Sequence, residues 1–191
     1  MKKTVVLFLV TMLFSSVTMA QDAAIKERMA HIRKCYAEAQ KLANEGMNGA
    51  KKNYLHLDQH TTGTDDYSLR TVDFFFVNEP DVSGRQPYRL VLAREKCGIT
   101  VCEYLYDKNN SQLMFYFKKT MGDYDDETKE IRSYYPADDQ GDIWTIVRRL
   151  DRKDGKVIEE LAETDNSGPS QAYRMDASYL LDAFDLLTIQ D

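Results

Sequence analysis

The amino-acid sequence predicts an α+β fold: an N-terminal helix, a curved antiparallel meander of about eight strands, and a C-terminal helix. Two segments, near opposite ends of the chain, carry apolar residues at alternating steps of three and four, which is typical of amphipathic helices. Between them the apolar period changes toward two, and short polar turns interrupt it repeatedly. Strands joined by such short connections can pair only antiparallel, so this middle region is predicted to form a meander.

The first predicted helix begins at Ala23, with Asp22 as its cap, and ends at Gly46, which can adopt a left-handed conformation. Its apolar stripe consists of Ile25, Met29, Ile32, Tyr36, Ala39 and Ala43. The strands are predicted at residues 53–61, 70–78, 87–96, 99–107, 112–120, 128–135, 142–151 and 156–161. The segments between them are rich in Gly, Asn and Asp, the residues that favour turns.

The second predicted helix follows a polar connector and is capped by Ser170. The residues predicted to share one side of it are Ala172, Met175, Tyr179, Leu180, Ala183, Leu186 and Leu187. Such an apolar side needs a surface to pack on, so we expect the helices to cover a curved sheet. No shift in composition marks a second domain.

The composition is that of a globular protein with 191 residues, long enough for one domain with a proper core. Hydrophobic residues make up 43% and charged residues 29%, which excludes a disordered tail and a polytopic membrane protein. The formal net charge is -6. Because tracking nucleic-acid phosphates requires clustered excess cations, we expect no nucleic-acid partner.

The first twenty residues have the pattern of a bacterial secretory signal peptide. Lys2 and Lys3 form a positive start, residues 5–14 form a short apolar segment, and small residues lead to a predicted cleavage site after Ala20. The apolar segment is too short to span a hydrocarbon core of about 30 Å, so no stable membrane span is expected after signal removal. We therefore predict a signal peptide over 1–20, a single α+β domain over 21–191, and a periplasmic or extracellular location.

Three parts of the sequence carry a resemblance: the signal peptide, the helical segment Ile32–Ala39 and the predicted hairpin from Glu103 to Phe117. In these parts the chain resembles a group of small uncharacterised exported proteins of the Bacteroidetes. The resemblance covers a minor part of the chain, and its motifs are structural. It implies an exported protein built from a helix and an antiparallel meander, and it implies no functional residues.

The two central predicted strands are apolar on both faces, whereas a half-exposed antiparallel sheet would have one polar face. One of these faces carries Cys102, Tyr104, Tyr106, Met114 and Tyr116. Its cover is predicted to be the C-terminal helix, a curl of the sheet, a partner chain or a ligand. If the face instead lines an open groove, the three tyrosines would bind a glycan or peptide, with Lys118 and Trp144 at the rim.

Glu103 is a weak candidate for a catalytic acid or base, because it lies between Val101 and Leu105 on an otherwise apolar strand face. The alternative is an ion pair with an arginine, or a position near the sheet edge. No second catalytic group accompanies it in the sequence.

His56, Asp58 and His60 are weak candidates for one edge of a metal site. The two histidines cannot share an ion on a strand, where residues four apart are separated by about 13 Å. Solvent-facing polar residues are the alternative. No cofactor is predicted.

Cys35, Cys97 and Cys102 form an odd set for an oxidising compartment. Cys97 and Cys102 point to opposite faces of one regular strand unless the chain turns at Gly98. A disulfide from Cys35 to either Cys97 or Cys102 is possible, and one thiol would then stay unpaired or pair between molecules.

Taken together, these patterns favour a non-enzymatic exported domain that binds an unknown protein, peptide or glycan. One rival hypothesis is a hydrolase-type enzyme whose site is assembled from distant residues, with Glu103, His56 and Asp58 as candidates. The other is an inhibitor that acts through its hairpin loops on another exported protein.

Overall fold

A computed structural model of the chain describes residues 2–49, 52–60, 69–78, 87–122, 126–137, 141–164 and 169–188. The chain divides into two compact units, residues 1–35 and residues 36–191. Its elements follow the order helix, eight strands, helix, which confirms the predicted α+β fold. Among the described residues, no helix combines the length and apolar character needed to span a membrane.

The helices are α1 (Lys2–Met47) and α2 (Pro169–Thr188). The strands are β1 (Tyr54–His60), β2 (Leu69–Asn78), β3 (Tyr88–Cys97), β4 (Thr100–Tyr106), β5 (Leu113–Met121), β6 (Glu127–Tyr134), β7 (Trp144–Asp151) and β8 (Val157–Thr164). Every predicted strand corresponds to one of these, with small differences at the ends. The largest difference is at β8, which continues beyond the predicted end at residue 161.

The strands form one antiparallel sheet in chain order, with β1 and β8 at its edges. The register shifts by a residue between Phe75 and Phe76, between Leu105 and Tyr106, and between Arg149 and Leu150. Such bulges bend a strand and increase its twist, so they account for the expected curvature of the sheet.

Side-chain alternation gives the sheet two faces. One side, which we call the first face, carries Asp73, Arg94, Glu103, Phe117 and Arg132, which are aligned in the pairing registers. The opposite side, which we call the second face, carries Ala93, Tyr104, Tyr116, Ser133 and Thr145, again aligned across neighbouring strands. Helix α2 packs on the second face, where its buried side joins the aromatic core.

The N-terminal helix differs from the prediction at both ends. It runs without interruption from Lys2, because no Gly or Pro occurs between Lys2 and Glu45, so Asp22 lies inside it and does not cap it. It ends at Met47, and the left-handed residue is Gly49, with φ of 70°. Gly46 serves close packing instead, since a Cβ there would lie 3.1 Å from Cβ of Tyr54.

The predicted apolar side of α2 was wrong in most of its members. Met175, Tyr179, Leu186 and Leu187 are exposed, whereas the buried side consists of Ala177, Leu180 and Phe184, with Tyr173 and Leu181 packed beside them. The reason is that α2 has two apolar sides, both with helical spacing, and the sheet takes the one that carries Phe184. The helix also begins at Pro169, immediately before the predicted cap Ser170, in agreement with the preference of proline for the first helical position.

Candidate functional site

The tyrosines predicted to line a ligand groove lie in the core under α2. Tyr104, Tyr106 and Tyr116 are only 2%, 3% and 1% exposed. The ring of Tyr116 stacks on Tyr173 at 3.9 Å, and the Tyr106 hydroxyl donates a hydrogen bond to the Ala177 carbonyl at 2.8 Å. The C-terminal helix therefore covers this face, and the prediction that these tyrosines bind a ligand is corrected.

Trp144 does not accompany these tyrosines. It pairs with Tyr134 at the start of β7, on the first face of the sheet, and it is half-buried.

Burial raises the pKa of Tyr104, Tyr106 and Tyr116 above the ordinary tyrosine value, so their hydroxyls stay neutral. Their role is packing and hydrogen bonding within the core.

Glu103 is 5% exposed, and its carboxylate is held by three side chains on the first face. Arg94 donates its Nε–H to Oε1 at 2.6 Å, and Gln40 donates its Nε2–H to Oε2 at 2.8 Å. The hydroxyl of Tyr36 donates to the same Oε2. Arg94 also donates to Oε1 of Gln40 at 2.9 Å, which closes the network.

This network identifies Glu103 as a structural anchor. Both carboxylate oxygens accept hydrogen bonds, and the carboxylate lies against Arg94, as in the predicted ion-pair alternative. Burial and, next, the Glu103 charge raise the pKa of Tyr36, so its proton is held firmly in the bond. The oxygens of Glu103 are occupied by the residues that fasten the last turns of α1 to the sheet, which favours the ion-pair alternative over the candidate catalytic role.

His56 lies on the exposed part of the first face, between two carboxylates. Its Nδ1 is 2.6 Å from Oδ1 of Asp73, directly opposite on β2, and its Nε2 is 2.9 Å from Oδ1 of Asp58. The Tyr54 hydroxyl donates to the same Asp73 oxygen at 2.8 Å. The Asp73 hydrogen bond is the main cause of a raised His56 pKa, which favours the imidazolium form with both ring nitrogens as donors.

An imidazolium held in this way has no lone pair for a metal ion. Among the residues that the structure describes, no group of three or more His, Cys, Asp or Glu side chains is arranged to hold a metal. The side chain of His60 lies outside the described residues. The geometry at His56 and Asp58 agrees with the predicted alternative of polar residues facing solvent.

The three cysteines are thiols, so the predicted disulfide of Cys35 with Cys97 or Cys102 is not formed. The chain turns at Gly98, with φ of 54°, which brings Cys97 and Cys102 to the same sheet face on neighbouring strands. Cys97 is exposed, whereas Sγ of Cys102 lies 3.4 Å from the Tyr116 hydroxyl. Burial raises the pKa of Cys102, which makes it a poor nucleophile.

The exposed side of α2 carries several large apolar side chains. We call outer stripe the set of Met175, Tyr179, Leu186 and Leu187, which are 58%, 64%, 73% and 54% exposed. At about 100° per residue, these four positions lie within one third of the helix circumference. Their helical spacing correctly predicts that they share one side of α2, but that side faces away from the core.

Two further features are open to solvent. Every residue of β8, the edge strand, is exposed, including Val157, Ile158 and Leu161. A concavity of about 330 Å³ lies over β5, β6 and β7; we call it the basic groove. Its lining residues are Lys118, Thr120, Gly122, Glu127, Thr128, Lys129, Ile131 and Arg149.

Of the residues that line the basic groove, the sequence pattern singles out only Lys118. Lys129 and Arg149 become its neighbours only through the register of two hairpins. The resemblance to exported proteins of the Bacteroidetes stays a prediction. No protein-family model, no curated protein and no solved structure matches this chain.

Proposed function

We propose that this protein is an exported, non-enzymatic interaction domain that binds a basic amphipathic segment of a partner protein on the outer stripe of α2. The observation that carries the proposal is the exposure of Met175, Tyr179, Leu186 and Leu187 on a helix whose opposite side packs on the sheet. Soluble monomers rarely leave such contiguous apolar surface open, and it commonly marks an interaction site.

The residue types of the outer stripe suit recognition. Tyrosine and methionine are enriched at protein interfaces, since a tyrosine combines a large apolar ring with a polar end and a methionine adapts its shape. Tyr179 and Met175 are four residues apart, so they are neighbours on successive turns of the helix surface. An apolar helix face of a partner would bury all four side chains together.

The charge around the outer stripe indicates which partner fits. At about 100° per residue, Asp176 falls within the outer stripe, Asp182 lies beside its edge and Asp185 lies further round the helix, and all three are exposed. The single cation of α2, Arg174, lies over the Tyr135 ring at 5.2 Å, on another side of the helix. A second copy would bring aspartates against aspartates, whereas a partner with Lys or Arg beside its apolar face is complementary.

Export is part of the proposal and rests on the signal-peptide pattern of residues 1–20. The resulting domain would begin at Gln21 and would meet its partner in the periplasm or outside the cell. Intact mass measurement of protein collected from the periplasm or the medium tests this step. A chain that retains residues 1–20 in that fraction would contradict it.

Binding is tested with a synthetic helix made of leucine on one side and lysine on the other, measured by fluorescence anisotropy. The double variant Met175→Ser and Leu186→Ser is expected to weaken binding about tenfold or more, a change of roughly 1.4 kcal/mol, because it removes half of the stripe. The matched control is Ile158→Ser and Leu161→Ser on β8, which changes two apolar residues that are 52% and 59% exposed and is expected to leave binding unchanged.

Three results would overturn the assignment. One is a peptide with glutamate in place of lysine that binds equally well, since charge would then play no part. Another is binding that the stripe variant retains. The third is sedimentation that shows a dimer of the protein, lost in the stripe variant, which would identify a second copy as the occupant.

A further inference from the structure

The basic groove lies on the second face of the sheet, further along the strands than the part under α2. Lys118 and Thr120 follow Tyr116 at alternate positions of β5, and Lys129 and Ile131 precede Ser133 at alternate positions of β6. Thr120 is opposite Lys129, and Lys118 is opposite Ile131. The side chains of three neighbouring strands thus converge on one concavity, independent of the outer stripe of α2.

The groove concentrates positive charge in an acidic protein. The positive charge of Arg149 is paired with two carboxylates, because Arg149 donates two hydrogen bonds to Glu127, at 2.9 and 2.8 Å, and one to Glu159 at 2.9 Å. Lys118 and Lys129 form no ion pair with any residue that the structure describes. The chain as a whole carries a net charge of -6, so two such ammonium groups side by side are a local exception.

Lys129 lies next to a second cationic side chain. It is directly opposite Arg149 in the pairing of β6 with β7, and like charges in that position repel. Lys118 is a diagonal neighbour of Lys129, at a Cβ–Cβ separation of about 7–8 Å, so both ammonium groups can reach one anion between them. An anion between the two ammonium groups would attract both of them.

We propose that the basic groove binds a small organic anion of the sugar-acid class. The two lysines would hold the carboxylate, and the Thr120 hydroxyl and the Glu127 carboxylate would bond the ligand's hydroxyl groups. Ile131 offers an apolar surface for the carbon face of a sugar ring. A volume of about 330 Å³ suits one such ring, at the lower end of the size range of ligand pockets.

The test is a titration of the protein with sodium glucuronate at low ionic strength, followed by amide chemical shifts in NMR spectra. Glucose serves as a control sugar without charge, and sodium sulfate serves as a control anion without a sugar ring. Glucuronate is expected to shift the amides of β5 and β6 around Lys118 and Lys129, and Lys118→Gln and Lys129→Gln are each expected to weaken binding roughly tenfold. The matched control is Lys119→Gln, which changes the next residue of β5 on the first face and should leave binding within about twofold.

Thermal unfolding without ligand adds a second measurement. Lys129→Gln is expected to raise the melting temperature while it weakens glucuronate binding, because it removes the repulsion with Arg149. A lysine with only a structural role would lower the melting temperature when replaced. Equal binding of glucose, tighter binding of sulfate than of glucuronate, or no shifts at all would overturn the proposal.

Discussion

Arg94 and Glu103 face each other directly across β3 and β4 and form an ion pair of 2.6 Å between Nε and Oε1, with side chains 21% and 7% exposed. The alignment extends to the sheet edge, since Asp73 is opposite Arg94 and His56 is opposite Asp73. Four neighbouring strands thus carry alternating positive and negative groups at one level of the first face. In this row Asp73 lies between His56 and Arg94, and Glu103 lies between Arg94 and Phe117 of β5.

Replacing Glu103 with alanine is expected to destabilise the protein by about 3–5 kcal/mol, because it leaves the Arg94 guanidinium partly buried without its carboxylate. Urea unfolding monitored by circular dichroism measures this change. The matched control, Glu160→Ala, breaks the pair of Arg148 with a carboxylate that is 44% exposed, and it should cost about 1 kcal/mol or less. Equal losses in the two variants would show that the Glu103 network is not an anchor.

The pKa of His56 predicts how stability changes with pH. Bonding to Asp73 and Asp58 raises that pKa in the folded protein, so folding favours the protonated ring. The stabilisation is therefore complete below the unfolded histidine value of about 6.5 and is lost as pH rises through the folded pKa. The effect is modest, because the His56 side chain is 42% exposed and solvent screens its charge.

The measurement is the free energy of unfolding between pH 5 and pH 9 for the wild type and His56→Gln, with an NMR titration of the His56 ring. The wild type should lose stability relative to the variant as pH increases. Asp73→Asn should lower the His56 pKa more than Asp58→Asn, because Asp73 is the main cause of the shift. Parallel pH profiles of wild type and His56→Gln would contradict this account.

Truncating one side chain on each of the two sides of α2 is expected to change the free energy of unfolding by very different amounts. Phe184 is fully buried, with its ring 5.8 Å from Phe74 and 5.5 Å from Phe76, so Phe184→Ala should cost about 3–5 kcal/mol. Leu186, on the outer stripe, is 73% exposed, and Leu186→Ala should change stability by about 0.5 kcal/mol or less. Chemical denaturation of both variants provides the comparison. Similar losses would mean that the outer stripe is buried in solution.

The sequence predicts the limits and pairing of the strands, but it does not predict which side of α2 is buried. Turn residues mark where a strand such as β5 begins and ends, and antiparallel pairing follows from the short connections between strands. In α2, the sets around Tyr179 and around Phe184 have the same helical spacing, and only packing on the sheet selects between them. The same holds for Glu103, whose partners Tyr36 and Gln40 are distant in sequence and become neighbours only in the fold.

The three thiols are predicted to react at different rates with an aromatic disulfide reagent. Cys97 is exposed and should react fastest, whereas Cys102 should react slowly, because burial raises its pKa and its Sγ lies 3.4 Å from the Tyr116 hydroxyl. Absorbance of the released thiolate follows the reaction, and Cys97→Ser should remove the fast phase while Cys102→Ser leaves it intact. Protein that releases only one thiolate in total, under denaturing conditions without reductant, would contain a disulfide and would contradict this order of reactivity.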